Sequence, residues 1–299
     1  MWRYFLIASV SSTVTFAGFG QIKKQFSVED HAQVKKVVLH LSTKTGSCFI
    51  RPSQSADLLN VYSNQDIEDY GHAFRNEIVN GTCKVSLSLE QEGKQGVGQQ
   101  ISYQVFGGDE RPSDKFWKVY LSNSKPYSLA LDYGLGSADI DLSGLSIEQL
   151  KIKTGSANVN VFYGSGVENQ IEMDTFFVKV DMGSLQVKQL NLARSHVVMA
   201  DVGFGNILLD FSDKPSNSNH VKGSVGAGNL VILLPGPEIP VKVKINNSWL
   251  CSLDLCKSLK RVGENTFANS AYANSDKNAL TFDLDVSLGK IVFKDRSAD

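Results

Sequence analysis

The residues best suited to chemistry in this 299-residue chain are two pairs of aspartates, Asp139 with Asp141 and Asp283 with Asp285. Each pair is separated by one residue in a stretch that alternates polar and apolar side chains. On a strand, both carboxylates of a pair would project from one face about 6.5–7 Å apart. That separation suits a Ca²⁺ ion or a pair of carboxylates working as acid and base on a glycosidic bond. The same alternation places carboxylates on any solvated strand face, with no chemistry attached. The five histidines, His31, His40, His72, His196 and His220, are scattered and lack the paired spacing of a helical metal site. Gly134-x-Gly136 and Gly226-x-Gly228 lack the third glycine and the following helix of a dinucleotide loop. Gly164-Ser165-Gly166 reads as a turn, not a nucleophile elbow. No catalytic set, cofactor site or metal site emerges from this inventory.

Four cysteines, Cys48, Cys83, Cys251 and Cys256, suit an oxidising compartment. The expected bridges join Cys48 to Cys83 and Cys251 to Cys256, because each pair lies within its own end of the chain. No Cys-x-x-Cys motif or nearby histidine favours a zinc site instead. Among the aromatics, Trp117, Phe162, Tyr163, Phe176, Phe177 and Trp249 would stack against a glycan if exposed together, and would fill a core or cap an end if not.

The elements that must position these residues follow a repeat. A glycine, usually then a small polar residue, opens a short apolar-rich strand at Gly46, Gly136, Gly155, Gly183, Gly205, Gly228 and Gly289. In all seven copies the fourth residue after the glycine is large and apolar: Ile50, Ile140, Val159, Val187, Leu209, Ile232 and Phe293. A constant phase of this kind predicts one core-facing column, since a one-residue slip would turn every side chain to the opposite face. Second strands with the same alternation lie between the copies, at 150–153, 177–181 and 197–200, and 142–150 reads as a tight polar turn. Loose intervals of this size point to stacked supersecondary units.

The fold expected is all-β: a single-stranded right-handed parallel β-solenoid with irregular capping flanks, the alternative being an antiparallel β-sandwich. Residues 36–42 read as a first strand, and Asn80-Gly81 is a two-residue hairpin signal between strands at 74–79 and 82–89. Polar stretches at 107–114, 212–219 and 258–278 read as surface loops. Open solenoid ends need protection from edge pairing, a duty that falls to the flanks at 44–90 and 249–260. No segment has a convincing helical period.

Arg3 followed by the uncharged run Tyr4–Gly20 reads as a secretory signal peptide cut before Gln21. No later stretch is long and apolar enough to span a bilayer. This organises the chain as a signal at 1–20 and one domain over 21–299, with a cap to about 130, repeats over about 131–235, and a C-terminal cap. The formal charge of −1 offers no electrostatic footprint for nucleic acid.

The run Tyr133-Gly134-Leu135-Gly136-Ser137-Ala138-Asp139-Ile140-Asp141-Leu142-Ser143-Gly144-Leu145, the Gly155 copy and the terminal Asp285–Ile291 resemble the toast-rack and LiaF-like β-solenoid domains of bacterial envelope proteins and related adhesin-like solenoids. The resemblance implies a parallel solenoid, no enzyme activity, no cofactor, and an envelope-stress or surface role. It transfers no catalytic residue. The chain departs from LiaF-like members in lacking their membrane-spanning region. Two function classes remain. The first is a non-catalytic exported envelope protein, periplasmic or at the cell surface, that presents a rigid β surface to a protein or glycan partner. The alternative is a carbohydrate-active β-helix enzyme using Asp139 and Asp141.

Overall fold

The computed structural model describes residues 22–64, 71–90, 116–215, 218–274 and 279–295. The expected signal segment and the 107–114 loop lie outside the described residues. The strands are β1 (Lys23–Val28), β2 (Lys36–Thr43), β3 (Ser47–Ser53), β4 (Leu59–Ser63), β5 (Gly71–Val79), β6 (Thr82–Glu90), β7 (Phe116–Ser122), β8 (Tyr127–Tyr133), β9 (Ser137–Asp141), β10 (Ile147–Thr154), β11 (Asn158–Phe162), β12 (Met173–Val180), β13 (Ser184–Val187), β14 (Ser195–Val202), β15 (Asn206–Asp210), β16 (Asn219–Val225), β17 (Asn229–Leu233), β18 (Val241–Asn247), β19 (Ser252–Asp254), β20 (Lys260–Gly263), β21 (Thr266–Ala268), β22 (Leu280–Val286) and β23 (Lys290–Lys294). Helix among the described residues is limited to a single turn at Ser270–Asn274 and a 3-10 turn at Leu190–Ala193.

These strands form two open mixed sheets of 11 and 12 strands. The chain crosses between them repeatedly: β8, β10, β12, β14, β16 and β22 belong to the larger sheet, and β9, β11, β13, β15, β17 and β23, each following directly, belong to the smaller. Within both runs the neighbouring strands are parallel. Two pairs sit out of chain order. The β2–β3 pair lies between β6–β7 and β8–β9, and β22–β23 lies between β16–β17 and β18–β19.

Each crossing is a short corner before the smaller sheet's strand, and the corner explains the glycine. A Cβ on Gly136 would lie 2.1 Å from the Gly46 carbonyl oxygen, one on Gly205 2.3 Å from that of Gly183, and one on Gly228 2.1 Å from that of Gly205. No real Cβ fits at such a distance, so each corner rests on the bare backbone of the next. At Gly136 a φ of +108° adds a second requirement for glycine.

The register corrects one copy of the repeat. Asn158 pairs with Ser137 and Ser184, which puts Ala157, not Gly155, in the glycine column. Gly155 aligns instead with Gly134: its N–H donates to Tyr133 O as the Gly134 N–H donates to Thr43 O. The column member from that layer is therefore Val161, paired with Ile140 and Val187. Because the slip is an even two residues, Val159 and Val161 are both buried. Ile50, Ile140, Val187, Leu209, Ile232 and Phe293 are buried as expected, at 2% exposure or less. The two sheets share one hydrophobic core.

Two other expectations change. Strand β10 begins inside the 142–150 segment, at Ile147, and the linking residues before it bury Leu142 and Leu145 instead of forming a polar turn. The 258–278 stretch holds the antiparallel β20–β21 hairpin and the helical turn. Asparagines missed in the sequence brace the return turns: buried Asn169 donates to Ile147 O and Ile171 O and accepts from the Ile147 N–H. By contrast, the Asn80-Gly81 hairpin is present, with φ of 51° and 76° at its two central residues and Val79 facing Thr82. Antiparallel strands cover three of the four sheet ends, β5 on β6, β4 on β7 with β1 on β4, and β21 on β18, while the fourth ends in the short parallel strand β19.

The expected disulfides are absent, and all four cysteines are free thiols. Cys83 pairs with Val37 near the start of β2, while Cys48 lies beyond the corner that follows Thr43 at its other end. Six residues of strand hold them about 20 Å apart. Cys251 and Cys256 flank the extended strand β19, which separates them. Burial pushes the Cys48 thiol up to about 12, and burial also raises that of Cys256.

Replacing Gly228 by Ala drives a methyl into the Gly205 carbonyl and is expected to cost about 3 kcal/mol in urea unfolding. Gly263→Ala, where the nearest atom is 3.6 Å away, should cost under about 0.5 kcal/mol. With iodoacetamide at mildly alkaline pH, peptide mass spectrometry should find Cys48 and Cys83 unmodified until the chain is unfolded, and Cys251 modified ahead of Cys256.

Candidate functional site

Asp139 and Asp141 both lie on β9, on the outer face of the 11-stranded sheet, and both are engaged by the protein itself. Asp139 Oδ1 accepts a hydrogen bond from Asn160 Nδ2 at 2.9 Å. Asp141 Oδ1 accepts from the Ser143 N–H at 3.0 Å, the Ser143 hydroxyl at 2.6 Å and the Gly164 N–H at 3.2 Å. Asp141 thus closes the turn after its strand and ties it to the next layer. Asp283 and Asp285 lie on β22 in the other sheet, where Asp285 accepts from Asn246 at 3.0 Å and Asp283 stands in register between Lys222 and Lys244. The two pairs do not meet. Among the described residues no three His, Cys, Asp or Glu side chains converge on a metal position.

The histidines do not meet either. His196 pairs with Glu172 at 3.1 Å, His220 with Thr281 at 2.9 Å, and His72 lies against Phe26. The six flagged aromatics also divide: Trp117, Tyr163 and Phe176 are core residues, Phe162 and Phe177 are half-buried, and Trp249 is 89% exposed. They form no common platform.

A different set does. On the outer face of the 11-stranded sheet, β4, β7, β3 and β11 bring Tyr62, Tyr120, Phe116, Phe49 and Phe162 together, all half-buried. Tyr62 meets Tyr120 edge-on at 5.6 Å, and Phe49 meets Phe116 at 6.3 Å. Two cations are set among the rings. The Arg51 guanidinium lies 5.7 Å from the Phe49 ring and 5.3 Å from the Phe162 ring, and it donates to the Ile50 and Asp139 carbonyl oxygens. Lys118 Nζ lies 5.0 Å from Phe116. The face therefore offers aromatic area, two oriented positive charges and the exposed amide of Asn160.

Sequence reasoning missed this face because its residues come from four separated segments. They meet only through the antiparallel β4–β7 ladder and the out-of-order stacking of β3 between β7 and β9. The available signal was the alternation Phe116-x-Lys118-x-Tyr120 beside Phe49-x-Arg51. The 12-stranded sheet carries two adjoining shallow depressions of about 740 and 330 Å³ that share His40, one beside Arg75 and Lys84, the other beside Lys151 and Phe177.

Comparison with protein families matches residues 17–183, more than half of the chain, to the N-terminal domain of toast_rack, DUF2154. No curated protein matches. Among solved structures the chain is similar to the crystal structure of a "putative cell adhesion protein" from Clostridium sporogenes ATCC 15579, at 15% identity and a TM-score of 0.42, covering 92% of this chain and 100% of that one.

Since Asp141 holds three protein donors, Asp141→Ala should lose about 1.5–3 kcal/mol by thermal or urea unfolding, and Asp139→Ala clearly less. Millimolar Ca²⁺ should leave the wild-type melting midpoint unchanged. A rise with Ca²⁺ that disappears in the double variant would make the pair a metal site instead.

Proposed function

The chain belongs to the toast_rack N-terminal-domain family, and from that premise we propose that it is a non-catalytic cell-envelope protein whose outer β face binds a partner. In this reading residues 1–20 direct export and are removed. Residues 21–299 form one domain, a single-stranded right-handed β-solenoid exposed in the periplasm or at the cell surface. Its role is adhesion or presentation of a surface, with a link to the envelope stress response. Support for the solenoid comes from the alternation of successive strands between two sheets over one shared core. Right-handedness follows the strong preference of parallel crossover connections.

The observation that carries the binding reading is the aromatic and cationic face. Rings on a solvated sheet exterior, with Arg51 and Lys118 fixed against them, match the composition of recognition surfaces, which favour aromatic residues and arginine. The absence of catalysis is favoured by the state of Asp139 and Asp141: Asp139 receives an asparagine amide, and Asp141 is committed to turn closure.

Pull-down from envelope fractions tests this. The intact protein should capture a discrete envelope component, and Phe49→Ala/Phe162→Ala should reduce capture roughly tenfold while the melting curve stays close to wild type. Equal capture by both proteins would remove this face as the binding site. Polysaccharide turnover that disappears in Asp139→Asn/Asp141→Asn would replace binding with catalysis.

A further inference from the structure

The corners that join the two sheets carry a feature independent of the aromatic face. Between β12 and β13, β14 and β15, β16 and β17, and β22 and β23 the corner is three residues long, and its middle residue is Met182, Phe204, Ala227 and Leu288 in turn. The flanking registers place these four side chains in consecutive layers: Val180 pairs with Val202, Val202 with Val225, and Val225 with Val286. The next layer outward is β18–β19, whose longer corner contributes Trp249 and Leu250. All six residues are exposed: Met182 at 66%, Phe204 at 77%, Leu288 at 58%, Trp249 at 89% and Leu250 at 49%, with Ala227 exposed as well.

The result is a single-file apolar ridge with about 4.8 Å between layers. It is held by rungs of backbone hydrogen bonds: the Met182 N–H to Gly155 O, Phe204 N–H to Asp181 O, Ala227 N–H to Gly203 O and Leu288 N–H to Gly226 O, all at 2.7–2.8 Å. The strand row beside it is uncharged along Ser184, Asn206 and Asn229. The charges that flank the ridge are mixed in sign: Asp181 is opposed by Lys179 at 3.7 Å, Asp201 and Asp285 follow Lys179 along the row of the larger sheet, and Lys290 stands in the outer layer.

We propose that this ridge inserts into the interfacial zone of a neutral lipid bilayer and seats the protein on a membrane surface. Shape and size select that occupant. A standard protein interface engages about 20–30 residues a side over about 800 Å², whereas this ridge is one side chain wide and six residues long. A second copy of the chain or a flat protein partner would leave most of its flanks wet. Large apolar side chains on a convex edge can enter the headgroup and acyl boundary to a depth of about 5–10 Å without any groove to receive them. Tryptophan at the end of the row is the residue most suited to that boundary.

Trp249 reports directly on the event, because Trp117 is buried and the remaining tryptophan, Trp2, is removed by subtracting the spectrum of Trp249→Phe. With phosphatidylcholine vesicles carrying brominated acyl chains, the Trp249 difference emission should move to shorter wavelength and be quenched, and high salt should not reverse it. Phe204→Ser/Leu288→Ser should weaken this partitioning roughly tenfold or more. Both substitutions lie at exposed positions, so circular dichroism should be unchanged.

Three outcomes would overturn the proposal. One is an unquenched Trp249 on vesicles that nevertheless retain the protein, which would place attachment elsewhere in the chain. The second is quenching only with anionic lipid that salt abolishes, which would make charge the cause. The third is a concentration-dependent dimer by light scattering that the same double substitution dissolves, which would give the ridge to a second copy.

Discussion

The structure depends on a backbone contact at the glycine corners. Where Gly205 and Gly228 turn from one sheet into the other, a carbonyl oxygen of the adjacent corner occupies the space a Cβ would need, 2.3 and 2.1 Å away. Contact this close sets the distance between layers before any side chain is considered. It also fixes phase, because the strand begins at the residue after the glycine and the column of Ile140, Val187, Leu209 and Ile232 follows from alternation alone. Hydrophobic burial then favours a stack whose geometry the corner has already set.

That division explains what could be read from the sequence. Glycine phase and apolar alternation are local, so the all-β class, the Asn80-Gly81 hairpin and the buried column were all legible. The error at Gly155 is instructive. Ala157 holds the column position in that layer, and a glycine two residues earlier offered a false marker. Even spacing hid the mistake, because Val159 and Val161 face the same way.

Long-range order was not legible in the same way. Nothing local says that β2–β3 is stacked between β6–β7 and β8–β9, or that β22–β23 slips inside β18–β19. The aromatic face depends on the first of these insertions. Phe49 and Arg51 reach Lys118 and Tyr120 only because β3 lies beside β7. The cysteine reading failed for a related reason. An even count and nearness in sequence say little when Val37, beside Cys83, is separated from Cys48 by the length of a strand and a corner.

The corner contact also determines which surfaces are free to vary. Inward positions are constrained by the shared core, and outward strand positions by cross-strand neighbours such as the Asn206–Asn229 amide pair. The middle residue of the three-residue corner is bound by neither. Its backbone is tied into the rungs, and its side chain is half-buried at Thr45, Leu135 and Ser156 and exposed at Met182, Phe204, Ala227 and Leu288. Its identity is then decided by what surrounds the protein. A solvated edge would favour residues such as Thr45 and Ser156, which occupy this position in other layers. Met182, Phe204 and Leu288 at the same place therefore carry information about the surroundings of the folded protein, because the fold makes no demand for them.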